Sequence, residues 1–159
     1  MLEEYELTGG ELDGARLDAQ LAFPGQIKQT LTNVRIGPPT AISDLPATVS
    51  QSSVQSTAIV GQDREVYVVQ GNGPRGLLVT LYFDKESGLL LRMVRHGSSP
   101  IGRLPTQIDY ADYREVSGVK LPFRMTFAWL DGRDVIQLND VHTNVWIDPA
   151  KFGRPATSK

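Results

Sequence analysis

The chain has 159 residues, 16 Lys and Arg against 18 Asp and Glu, a net charge of -2 and a pI near 5.7. That balance argues against non-specific nucleic-acid binding, which needs a basic surface to displace counterions from phosphates. The absence of cysteine excludes disulfides, thiolate metal sites, a cysteine nucleophile and c-type haem attachment within the chain.

In chain order, Met1-Leu2-Glu3-Glu4-Tyr5 is acidic where a signal peptide is basic and then apolar. The expectation is a cytoplasmic chain, or a mature or excised piece of an exported one. A helical lead-in is expected over residues 11 to 35. Leu12, Ala15, Leu17, Ala19, Leu21 and Ala22 recur at helical spacing, and Pro24-Gly25 ends that helix. A second short helix through Ile27, Leu31 and Val34 follows, before Pro38-Pro39 forces an extended chain. Residues 43 to 60 are Ser/Gln-rich and read as a mobile insertion, with a hairpin carrying Val49 and Val54 as the alternative.

Antiparallel sheet is expected over residues 64 to 152. Residues 65 to 70 alternate as a strand and stop at Gly71-Asn72-Gly73-Pro74. Residues 77 to 83 and 89 to 94 flank a loop in which Gly88 sits where positive φ is needed. Residues 106 to 116 and 119 to 130 flank the two-residue turn Ser117-Gly118, and Asp131-Gly132 signals a second tight turn before a strand over 133 to 145. A last short turn is expected to pack Phe152 on the sheet, and residues 153 to 159 to form a disordered tail. The result is one domain, six strands in a meander, with sequence neighbours adjacent in space.

Residues 119 to 129 are the most informative run. Val119, Leu121, Phe123, Met125, Phe127 and Trp129 alternate with Lys120, Pro122, Arg124, Thr126 and Ala128. A strand sends successive side chains to opposite faces, so the run has one apolar face. That face either belongs to an ordinary core or lines an apolar cavity, and large apolar residues are more often core.

The runs Leu81-Tyr82-Phe83-Asp84-Lys85-Glu86-Ser87-Gly88-Leu89-Leu90 and Tyr110-Ala111-Asp112-Tyr113-Arg114-Glu115-Val116-Ser117-Gly118-Val119-Lys120-Leu121-Pro122-Phe123 are similar to hairpins of the bacterial LolA-like group. These are lipoprotein carriers and outer-membrane lipoprotein-sorting proteins, and Ser87 stands where their commoner residue is Thr. The likeness covers roughly residues 60 to 152 and, loosely, 11 to 40. It implies an α+β fold: a curved, unclosed antiparallel half-barrel with one or two helices on one face and a cavity for acyl chains. It also implies a periplasmic or envelope location and a non-enzymatic role, with a lipid or lipoprotein as partner. Leu121, Phe123, Met125, Phe127 and Trp129 would be the ligand-binding residues. Some relatives carry an upstream cytochrome segment, so an accessory domain of a larger envelope redox protein is the second reading. The resembled fold has further strands before its helices. An upstream domain is therefore expected, as is an open sheet edge at residues 66 to 70 or 135 to 141 through which a homodimer could form.

No cofactor or metal site is expected. His96 and His142 lie in no ligand-spaced pair. Asp109 and Asp112 point to opposite strand faces unless a bulge intervenes, which leaves them solvated or paired with Arg114 and Arg124. Arg92, Arg95, Arg103, Arg114 and Arg124 could make a basic strip across neighbouring strands, or a merely solvated face.

Overall fold

A computed structural model of the chain describes residues 6–21, 24–42, 64–99 and 102–153. Two helices, α1 Gly9–Leu21 and α2 Ile27–Thr30, precede most of the sheet. The strands are β1 Thr32–Ile36, β2 Thr40–Ala41, β3 Glu65–Asn72, β4 Leu78–Asp84, β5 Leu90–Ser99, β6 Gly102–Val116, β7 Val119–Trp129 and β8 Gly132–Gln137. All pairings are antiparallel, in the order β1-β3-β4-β5-β6-β7-β8, with β2 also on β3. The sheet does not close on itself. This is the α+β meander with helices on one face that the sequence leads one to expect.

One line of side chains organises it. Val69, Leu81, Met93, Ile108 and Phe127 stand opposite one another from β3 to β7. Opposed residues share a face, so they form a continuous apolar row. α1 lays Leu17 and Leu21 on it, and Leu31, Leu77, Val79 and Leu90 complete the buried cluster. The helix is poor on propensity, since the interior Gly14 costs about 0.5–1 kcal/mol relative to alanine. Burial of Leu17 and Leu21 contributes about 1.5–3 kcal/mol each, so packing outweighs propensity. On the reverse face Val66, Tyr82, Leu91 and Val94 form a smaller cluster.

The structure corrects several expectations. Eight strands are present among the described residues, not six. Helix α2 stops at Thr30, and the residues expected to continue it form β1 against β3. The reason is that β3 would otherwise expose a full ladder edge. The 66–70 run is therefore interior, and the sheet spans residues 32 to 137. Strand β8 ends at Gln137, well short of residue 145. Phe152 sits in the turn Pro149–Phe152 but is exposed, not packed on the sheet. The expectations for residues 43 to 60 and 154 to 159 lie outside the described residues.

The turns divide in the same way. Gly88 has φ +69, as expected, and Asp84 closes its loop by accepting hydrogen bonds from Ser87 N (2.9 Å) and Oγ (2.5 Å). Ser117 and Gly118 have φ +50 and +81, the pair of positive angles that a type I′ turn requires. Neither Asp131 nor Gly132 has positive φ. Trp129 pairs with Gly132, so the turn's central residues are Leu130 and Asp131. Gly132 is instead filled space: a Cβ there would lie 2.5 Å from the Trp129 ring.

Gly118→Val is expected to cost about 1–2 kcal/mol or more, because a β-branched residue tolerates the left-handed region poorly. A urea midpoint equal to that of wild type contradicts the turn assignment. Gly132→Val should also destabilise, but with a shift in Trp129 fluorescence that Gly118→Val lacks.

Candidate functional site

The apolar face of β7 is covered unevenly. Phe123 is 5% exposed, and the Arg114 guanidinium lies 4.4 Å over its ring. Leu121 and Met125 are half-buried, Met125 standing between Tyr110 on β6 and Ile136 on β8. Phe127 packs against the cluster that holds Leu17 and Leu21. Val119 is exposed, and Trp129 is 37% exposed. Of the described elements, β5 is the strand that α1 contacts most, so its cover thins toward β8.

What remains is an open groove of about 610 Å³, lined among the described residues by Arg95, Thr106, Phe127, Trp129, Asp134, Val135 and Ile136. It brings together Phe127 and Trp129 of the five expected site residues. Leu121, Phe123 and Met125 are not part of that lining.

The groove has a charged end. Arg95 Nε donates to Asp18 of α1 at 3.0 and 3.3 Å. Its guanidinium lies flat on the helix because Gly14, one turn before Asp18, has no Cβ to obstruct it; a Cβ there would meet Nη1 at 2.5 Å. Burial raises the Asp18 carboxyl above its ordinary 3.8, and Arg95 offsets this only in part. Burial, with the Asp18 charge second, also pushes the neighbouring Tyr110 hydroxyl well above its usual value. Asp134 stands opposite Phe127 and faces the same side.

A larger hollow of about 750 Å³ lies at the β4–β5 hairpin, bounded by Arg64, Glu65, Asp84, Lys85, Glu86, Ser87 and Leu89. Its groups already serve each other: Lys85 pairs with Glu65 at 2.5 Å, and Asp84 caps its own loop. The smaller groove is the better candidate because its walls are apolar and its side chains uncovered.

The remaining residues singled out in the sequence do not converge. Asp109 pairs with Arg92 at 2.6 Å, not with Arg114 or Arg124, and Asp112 pairs with Arg114 at 2.6 Å. Arg92 and Arg95 face opposite sides of the sheet, since Arg92 stands beside Tyr82 and Arg95 beside Val79. The basic strip is thus not continuous. His142 is exposed beside Asp140, and burial together with Arg103 lowers the pKa of His96. Among the described residues no three His, Asp or Glu side chains gather as a metal site. No described helix is long and apolar enough to cross a membrane.

Arg95 was expected in a basic strip or on a solvated face; its phase with Met93 on the same strand is the signal that places it inward. Its partner Asp18 carries no local signal. Comparison with protein-family models, with curated proteins and with solved structures finds no match to the chain.

Two measurements follow. Phe123→Ala should cost about 3–5 kcal/mol, as large-to-small core changes do, and Val119→Ala about 0.5 or less; equal urea midpoints contradict the burial pattern. For Asp18 the folded-state pKa is raised, so its contribution is full below pH 3.8 and is lost as pH rises through the folded pKa. The stability of wild type relative to Asp18→Asn is therefore expected to fall as pH is raised from 3.8 through that window. A difference that is flat or rises with pH overturns the assignment.

Proposed function

We propose that this protein is a non-enzymatic extracytoplasmic module of the LolA-like kind, binding an acyl chain, a lipoprotein's lipid part or another apolar ligand. The observation that carries this reading is the uncovered apolar strip beside a filled core. Phe127, Trp129 and Ile136 line an open groove, while the cluster under α1 is closed. An apolar chain laid there would remove those side chains from water, at about 25 cal/mol per Å² buried. The hairpin resemblance at residues 81 to 90 and 110 to 123 supports the same reading. The groove is too shallow to enclose a ligand completely, which suits transient carriage better than storage.

A second reading is an accessory domain of a larger envelope protein with no ligand of its own. Val145, Trp146, Ile147 and Phe152, all exposed after the last strand, favour it.

Native mass spectrometry of freshly purified protein separates the two. A lipid-sized adduct supports carriage. In Trp146→Phe, which leaves Trp129 as the one indole, titration with a long-chain fatty acid should shift the emission to the blue. A clean apo mass together with an unmoved spectrum rejects the binding reading.

A further inference from the structure

The outer edge of β8 is a ladder of unbroken register that none of the described strands covers. Val135 is 50% and Ile136 42% exposed. The opposite edge is protected in ways that β8 is not. Strand β1 carries a register break and Asn33 at φ +51, and Pro38 and Pro39 separate it from β2. Bulges and prolines are the ordinary means of blocking edge pairing. Strand β8, Gly132–Gln137, has neither, and no lysine.

The ladder also specifies its own partner register. Leu138 N donates to Phe123 O at 2.8 Å. In an antiparallel strand, residues alternate between directing both backbone groups to one neighbour and both to the other side. Leu138, Ile136 and Asp134 therefore bond β7, while Arg133, Val135 and Gln137 direct N–H and C=O outward. A second copy related by a two-fold axis normal to the sheet can pair only with a residue opposite itself on the axis. Centring on Asp134 opposes two like charges, which destabilises a sheet pair. Centring on Ile136 pairs only residues 135 to 137 of the strand. Centring on Val135 pairs residues 133 to 137, joins the outward-facing groups to one another and sets Val135 against its copy. Asp134 then faces Ile136 of the other chain, and the two carboxylates stay apart.

We propose that β8 is a self-association edge, at which two copies of this chain pair antiparallel about Val135 to make one continuous sheet. The contact is isologous, so it closes at two copies. The two-fold axis keeps both α1 helices on the same face and brings the two grooves side by side. The pairing does not depend on what the groove binds.

Sedimentation of the 159-residue chain is expected to show a concentration-dependent dimer. Val135→Pro removes the central outward donor without touching a β7–β8 bond, and should raise the dimer Kd about tenfold or more. The chain has no cysteine, so Val135→Cys and Arg133→Cys each carry one spin label, which tests the register in near-native protein. The paired 135 positions lie about 5.5 Å apart and the 133 positions about 14 Å, so dipolar broadening should be stronger at 135. A monomer at all concentrations, an unchanged Kd in Val135→Pro, or broadening at 133 equal to or above that at 135 each overturns the proposal.

Discussion

A sheet wider than the helix that covers it is the constraint from which the rest of this structure follows. Seven strands side by side span about 29 Å at the usual spacing of about 4.8 Å. The 13 residues of α1 make a helix about 20 Å long and about 10–12 Å across. However α1 is oriented, it cannot shade the whole apolar face. The strands beneath it, β4 to β6, bury Val79, Leu81, Met93 and Ile108 completely or almost so. Those beyond it keep Trp129 and Ile136 in contact with water. The groove results from that shortfall.

What holds the helix over the middle of the sheet is a pair of arginines. Arg75, in the turn after β3, reaches Asp13 and the Gly9 carbonyl (2.7 Å) at the start of α1. Arg95, from the middle of β5, reaches Asp18 one turn before its end. Leu17 lies between these anchors and is fully buried. The Arg95 pair is mostly buried, and burial costs such a pair much of what its attraction returns, so it is better regarded as fixing position than as adding stability. The raised Asp18 pKa expresses the same balance, with desolvation ahead of the attraction to Arg95. Two leucines alone would let the helix slide along a greasy row. Two charge pairs, one near each end, define a single seat.

The β4–β5 and β6–β7 hairpins were legible because two local signals agreed there, alternation along the strand and turn residues at its end; between them β5 runs on to Ser99 and β6 starts at Gly102, beyond the expected 94 and 106. Where the signals were not local, reading failed. Thr32-Asn33-Val34-Arg35-Ile36 forms β1 although every residue in it is exposed, because the backbone of β3 needs a partner and the side chains contribute little. Asp131-Gly132 reads as a turn by composition, yet the chain places the turn one residue earlier. The glycine's missing side chain is used to seat the Trp129 ring, a demand set by a residue across the hairpin. Asp18 is likewise defined only by an arginine far along the chain.

The run from Val119 to Trp129 shows why alternation identifies a face but not its surroundings. Phe123 and Trp129 belong to the same face by phase, and both are large and aromatic. Phe123 is buried because β6 supplies Arg114, whose guanidinium lies on its ring and shields it from water while keeping its own charge partly solvated. Trp129 sits where β7 turns into β8, past the reach of α1, with the space of Gly132 on one side and the open groove on the other. Period-two patterning is set by the pleat and is the same along the whole strand. Cover is set by the length of other elements, and here that length runs out between Phe127 and Trp129. A packed residue and a water-facing one can therefore carry the same sequence signature two positions apart, and only the extent of the helix above distinguishes them.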